Sequence, residues 1–218
     1  VSKADVIVSV DADFLGIDKN SVYHIRNFSS KRKPSKKNPV MNTLIAVESM
    51  MSLTGANADY RFPVAPSEFE DILASILKEV LSAKGTSAVG AGVAASVASA
   101  SNPHGKKIAD MLIKAGDKGV VLAGGHLSAN ANAMALCINL ALGSVGAGKA
   151  LDNGHILPNS GVKSNAINAL RADLKAKTVG LAIFADVNPE YSGDRDMKAL
   201  IAGIGKRISL SHYVDDKS

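Results

Sequence analysis

Apolar residues along this chain fall into short blocks of two kinds. The first kind is a brief run rich in Val, Ile, Leu and Ala that stops at Asp, Asn, Gly or Pro, and it occurs at residues 6–10, 43–47, 61–64, 119–122, 179–184 and 207–210. Short apolar runs bounded by turn-formers read as strands buried on both faces. The second kind repeats every three or four residues, as on the inner face of a helix. It predicts helices at 20–28, with Val22, Ile25 and Phe28 on one face, and at 105–114, 128–142, 165–175 and 196–204, with Gly143 ending the third of these five. A further helix opens at Pro66 and Ser67 and carries the stripe Phe69, Ile72, Leu73, Ile76, Leu77, Val80 and Leu81. Ser67 with Glu70 three residues on has the form of a capping box. Strands alternating with helices of this length mean βαβ units. The fold class expected is α/β, a mostly parallel sheet with helices on both faces.

Two segments break the alternation. Residues 84–104 are nearly all Gly, Ala, Ser and Val, which fits a flexible connection or, through the valines, a partly packed one. Residues 144–164 form a Gly-, Asn- and Pro-rich excursion. The organisation expected is a first α/β segment at 1–83, a connection at 84–104 and a second α/β segment at 105–218, as two parts or as one composite domain. The chain has no starting Met and its last residues follow a strand directly, so it reads as a fragment of a larger protein. No stretch approaches the roughly 18 apolar residues of a membrane span, and no signal-like region opens the sequence.

Charge changes the picture at one place. The net charge of +5 comes from Lys31, Arg32, Lys33, Lys36 and Lys37; without them the chain has 20 basic and 20 acidic residues. The basic pI thus belongs to one loop, which reads as a solvated loop or as a contact for an acidic partner, lipid headgroups or nucleic acid. No aromatics interleave with these lysines, which argues against nucleic acid. The single cysteine, Cys137, excludes an internal disulfide and a Cys-based metal or iron–sulfur site within the chain, and its apolar surroundings mark it as buried and inert.

Candidate chemistry lies where strands end. In open α/β sheets, ligands bind outside the carboxyl ends of the strands. Asp11 and Asp13, with Asp18, follow the first strand, and Asp186 and Asn188 follow the strand at 179–184. Such residues suit a metal or a ribose, but Asp and Asn are standard turn and cap residues, and the turn reading is the one favoured. The loop VLAGGHLSANANA sets Gly124 and Gly125 between a strand and a helix N-terminus, an arrangement that suits a phosphate or simply a tight turn. Its spacing is neither the dinucleotide fingerprint nor a P-loop. The histidines His24, His104, His126, His155 and His212 show no ligand spacing; His126 alone falls in a plausible site loop. No nucleophile elbow and no Ser–His–Asp order are present.

Taken in order, four segments resemble the molybdopterin oxidoreductase family: ADVIVSVDADFLG, MNTLIAVESMMSLTGANADYRFPVAPSEFEDIL, VVLAGGHLSANANAMALCINLALGSVGAGK and VGLAIFADVNPEYSG. They are similar, respectively, to the first strand and loop of the nucleotide-binding region, the second strand with its acidic end and Pro-led helix, the strand–glycine–helix region, and the strand leading into an Asn-Pro loop. The resemblance implies a molybdenum bis-pterin guanine dinucleotide held at these strand ends. The contacts implied by position are Asp11, Asp13, Glu48, Thr54, Gly124, Gly125, His126, Asn188, Pro189 and Glu190.

Departures point to one branch. Glu48-Ser49-Met50 stands where the family has Asp-Pro-Arg, and Pro66-Ser67-Glu68-Phe69 where it has Pro-Gly-Thr-Asp. The first change removes a cation from a pyrophosphate site and the second a guanine-reading carboxylate. VES…LTGANADYR looks most like the iron–sulfur, molybdopterin-like B subunit of bacterial alternative complex III, a quinol-oxidising respiratory assembly. That resemblance implies a cofactor-free scaffold with no catalytic residue and no metal of its own. Iron–sulfur clusters would lie elsewhere in the parent, on the periplasmic side of the inner membrane, and the partners would be the other subunits of the complex, with no nucleic acid. The alternative is a bis-molybdopterin guanine dinucleotide-binding domain of an active molybdenum oxidoreductase.

Overall fold

The computed structural model describes residues 1–36, 39–152, 166–192 and 195–212, without the side chains of Glu190, Ser192 and Arg195. Lys37, His155 and the side chain of Glu190 therefore lie outside the described residues. The chain divides into two units, Val1–Ile156 and Leu157–Ser218. The first contains β1 (Val6–Val10), α1 (Ser21–Ser30), β2 (Thr43–Glu48), α2 (Leu53–Ala56), β3 (Tyr60–Pro63), α3 (Phe69–Lys84), α4 (Ala91–Ser96), α5 (Pro103–Ala115), β4 (Gly119–Ala123) and α6 (Ala129–Leu142). The second contains α7 (Ala166–Lys175), β5 (Leu181–Ala185), α8 (Pro189–Ser192), α9 (Arg195–Ala202) and β6 (Lys206–Leu210).

In the first unit the four strands form one parallel sheet in the order β3-β2-β1-β4. Successive residues of β1 serve opposite faces. Val8 and Val10 pack with Ile45, Val47 and the inner sides of α3, α5 and α6, while Ile7 packs with Phe14, Leu15, Phe28, Leu44 and Val120. Burial on both faces is why β1 reads as a continuous apolar run rather than an alternating one. The fold is α/β with helices on both sides of the sheet.

All seven residues of the expected α3 stripe are buried. The start of that helix differs from the expectation. A 3₁₀ turn at Pro66–Glu68 precedes it, and the Glu68 carboxylate accepts the Ala65 N–H at 2.9 Å. Proline at the first position suits this earlier start, so Glu68 reaches back and Glu70 is left for another contact. In α1 the expected face is only partly buried. Phe28 is covered, whereas Val22 is 80% and Ile25 43% exposed, because Phe14 and Leu15 from the loop after β1 already fill the place over the sheet. The Ala/Gly segment does pack: Val97 is buried in the core and Val89 and Val93 lie against it. Cys137 is half-buried on α6, against the same core.

The second unit is a parallel β5–β6 pair, in register from Leu181 with Lys206 to Ala185 with Leu210. Ala182 and Phe184 face a small core of Leu174, Met197, Ile201 and Ile204. Among the described residues, no helix is long and apolar enough to cross a membrane.

Candidate functional site

The chain runs from β1 outward to β2 and β3, then returns to place β4 on the other side of β1. The crevice between the carboxyl ends of β1 and β4 is therefore the switch point at which open α/β sheets take their ligands. Asp11 is the residue that leaves β1 there. It holds a left-handed conformation, φ 47°, and donates its N–H to the Val47 carbonyl at 2.8 Å. Asp186 repeats this in the second unit, with φ 49° and its N–H on the Leu210 carbonyl at 3.0 Å. Asp is among the few residues that tolerate this backbone region. The turn role of both residues thus has a geometric cause.

Side chains of the protein itself bridge the crevice. His126 Nε2 lies 2.8 Å from Asp11 Oδ2, joining the β4 loop to the β1 loop. Gly124 donates to the Val10 carbonyl at 2.9 Å and sits so close that a Cβ there would fall 2.3 Å from the Asp11 carbonyl oxygen. That contact explains Gly124 without a ligand. Gly125, by contrast, faces open space.

Asp13 and Glu48 spend their oxygens in the same way. Asp13 Oδ1 accepts the Thr54 N–H at 2.9 Å and the Thr54 hydroxyl at 2.8 Å, and Oδ2 accepts the Ile17 N–H at 3.1 Å. Thr54 Oγ1 in turn accepts the Leu15 N–H at 3.1 Å. Burial opposes the charge on Asp13, yet the hydrogen bonds from Thr54 and Ile17 outweigh it and hold the carboxyl below its ordinary pKa. Glu48, 4% exposed, accepts from Arg61 Nε at 2.6 Å and from the Ser52 hydroxyl at 2.6 Å. The Ser52 hydroxyl also caps α2 by accepting the Gly55 N–H at 2.9 Å. Asp13, Glu48 and Thr54 therefore form the frame that fixes the β1 and β2 loops.

The N-terminus of α6 is also occupied from within. Ser128 Oγ accepts the Ala131 N–H at 3.0 Å, and the same hydroxyl donates to the Glu70 carboxylate. A carboxylate at a helix N-terminus is stabilised by the helix dipole and repels a second anion. Asn132 braces the loop by donating to the Leu127 carbonyl at 3.2 Å.

What remains between these loops is a cleft of about 390 Å³ bordered by Asp11, Asp13, Glu48, Ser52, His126 and, on the apolar side, Met50 and Met51. Asp11, Asp13, Glu48, Thr54, Gly124, Gly125 and His126 are thus gathered at one sheet edge, but the carboxylates of Asp13 and Glu48 turn inward and that of Asp11 meets His126. Among the described residues no group of three or more His, Cys, Asp or Glu is arranged for a metal ion. Asn188 and Pro189 belong to the second unit, where Asn188 Oδ1 accepts the Tyr191 N–H at 3.0 Å and caps α8, with Pro189 as its first residue. Sequence reasoning passed over Ser52 and Arg61, and gave Glu70 to a capping box with Ser67 rather than to Ser128. A Ser before a short Leu-Thr-Gly-Ala turn was the available signal for the first; the partners of Arg61 and Glu70 are distant in the chain and leave none.

The basic loop is likewise divided. Lys31 pairs with Asp5 and donates to the Ala4 carbonyl, and Arg32 makes a two-pronged bond to Asp59 at 2.8 and 2.6 Å. Lys33 and Lys36 are exposed. No protein-family model matches this chain, and no curated protein matches it.

Proposed function

We propose that the chain is a cofactor-free scaffold domain of the molybdopterin oxidoreductase type, part of the iron–sulfur subunit of a respiratory electron-transfer complex of the alternative complex III kind. The ordered sequence resemblance supplies the family. The observation that carries the scaffold reading is the His126–Asp11 bridge across the β1–β4 crevice, together with the inward commitment of Asp13 and Glu48.

A pterin guanine dinucleotide does not fit these residues. Its pyrophosphate needs cations or unspent amide donors. The cleft offers Asp11, Asp13 and Glu48, its nearest arginine is bound to Glu48, and Glu70 stands at the α6 N-terminus. The edge carries its own polar partners, as a domain that folds without a ligand requires. In this reading the domain holds neighbouring subunits in place on the periplasmic side of the membrane, and the iron–sulfur clusters of the parent carry the electrons.

The test is metal and pterin analysis of the native complex. Molybdenum and pterin well below one per subunit support the scaffold; stoichiometric molybdenum overturns it and favours the active molybdenum oxidoreductase. Titration of the chain with GDP gives a second readout, since a ligand selective for the folded state raises the melting temperature. The scaffold reading expects no rise.

A further inference from the structure

The side of the first unit that α1 and α2 share carries apolar surface that no other described element of that unit covers. A groove of about 310 Å³ is lined by Leu15, Ile25, Phe28 and Leu53, with Arg32 and Asn57 at its end. Leu53 is 60% exposed, and Val22, one turn before Ile25 on α1, is 80% exposed. Scattered single apolar residues on a surface mean little; here four apolar residues line one groove, which offers a partner a place for an apolar side chain.

The charge around it is mostly positive: one acid, Asp18, opens the segment and six cations follow it. From residue 19 to residue 36 the chain holds Lys19, Arg26, Lys31, Arg32, Lys33 and Lys36 and no acid. Lys31 and Arg32 are neutralised by Asp5 and Asp59. Lys19, Arg26, Lys33 and Lys36 are exposed and, among the described residues, make no ion pair.

From this juxtaposition we infer that the α1–α2 groove docks an amphipathic helix of a partner protein, apolar on the face it inserts and acidic on its flanks. A helix lying in a groove between two helices buries apolar side chains at every third and fourth position. Concave lining favours such a partner over a lipid surface, which has no protruding side chains to fill it. The four exposed cations would steer the encounter and set its orientation. The inference stands whether or not the chain belongs to a respiratory complex.

A labelled peptide of roughly 18 residues, Leu on one helical face and Glu on the other, is a sufficient probe, being long enough to form helix on the surface. Fluorescence anisotropy with the 218-residue chain should show saturable binding. Ile25→Asp or Leu53→Ser should weaken it about tenfold, a loss near 1.4 kcal/mol. Both side chains are well exposed, so circular dichroism should be unchanged. Lys33→Glu with Lys36→Glu should weaken binding several-fold and flatten its salt dependence, because exposed charges are screened over about 10 Å at 0.1 M salt. No saturable binding, equal affinity for a Leu/Lys peptide, insensitivity to Ile25→Asp, or preference for phosphatidylglycerol vesicles over the peptide would each overturn the proposal.

Discussion

The side-chain amide of Asn139 replaces a neighbouring strand for Val121: its Oδ1 accepts the Val121 N–H and its Nδ2 donates to the Val121 carbonyl, each at 2.8 Å. Val121 is the middle residue of β4, and β4 is an edge of the sheet. Open edges invite pairing with other chains. Here α6 covers the edge, and one buried Asn, 3% exposed, satisfies its central pair of backbone groups.

Replacing Asn139 by Ala should therefore leave a buried N–H and a buried carbonyl without partners. The expected cost is about 2–4 kcal/mol, from the desolvation penalty of two orphaned groups. Urea unfolding followed by circular dichroism measures it. A loss no greater than that of a surface Ala substitution would show that water enters and repairs the edge.

Asp13 should make stability depend on pH. Its folded pKa is depressed, so its contribution is present above the unfolded value of about 3.9 and disappears as pH falls through the folded value. Asp13→Asn keeps one acceptor oxygen and loses the other, which should cost about 1–3 kcal/mol near neutrality. The gap between the two proteins, from urea titrations at several pH values, should stay constant down to about pH 5 and narrow below pH 4, where the wild-type carboxyl takes up its proton.

The architecture was legible in the sequence to the extent that it depends on apolar pattern alone. β1 and the seven-residue stripe of α3 follow from burial, which leaves a periodic mark in the chain. The position of the candidate site was legible for a related reason: Asp11, Glu48 and Gly124 each lie at or just beyond the carboxyl end of a strand, and parallel strands bring those ends together. The turn role of Asp11 was legible, since Asp is a standard turn-former, but the role of Glu48 was not. Asp13 meets Thr54 across 41 positions, and a carboxylate that binds a ligand has the same letter as one that fastens a loop. The partial exposure of α1 was hidden too, since Val22 and Ile25 have the right spacing but Phe14 and Leu15 occupy the space beneath. At four residues, α2 is too short to display any period.

The two loop glycines should separate turn from cradle. Gly124→Ala pushes a Cβ into the Asp11 carbonyl oxygen at 2.3 Å, and backbone cannot yield cheaply, so a loss of about 1–3 kcal/mol is expected. Gly125→Ala meets nothing within 4 Å and should change stability by less than about 0.5 kcal/mol. Thermal melts of the two variants decide the matter. Equal effects would mean that the loop geometry around Asp11 is relaxed.

The cap of α6 should be measurable in two parts. Ser128→Ala removes the acceptor for the Ala131 N–H and should cost about 1 kcal/mol. Glu70→Gln keeps an acceptor for the Ser128 hydroxyl but removes the negative charge from the helix N-terminus, a loss of a few tenths of a kcal/mol at low salt. Raising the ionic strength should erase the second effect and spare the first.

The basic loop should split by residue when its charges are removed one at a time. Burial acts against the charge of Asp59, but the Arg32 guanidinium and the Leu44 N–H outweigh it and hold its carboxyl below the usual pKa. Arg32 also stacks over the Phe28 ring at 4.7 Å. Arg32→Gln should then lower stability by about 0.5–1 kcal/mol, a figure kept small because the pair is partly exposed. The loss should fade in acid as Asp59 protonates, since a depressed carboxyl gives up its contribution only when pH falls through its folded pKa. Lys33→Gln and Lys36→Gln should leave unfolding unchanged within about 0.5 kcal/mol, because neither side chain touches an acid among the described residues. Urea midpoints for the three variants at pH 7 and pH 3 test all of this, and equal midpoints for Arg32→Gln and Lys33→Gln at pH 7 would remove Arg32 from the frame.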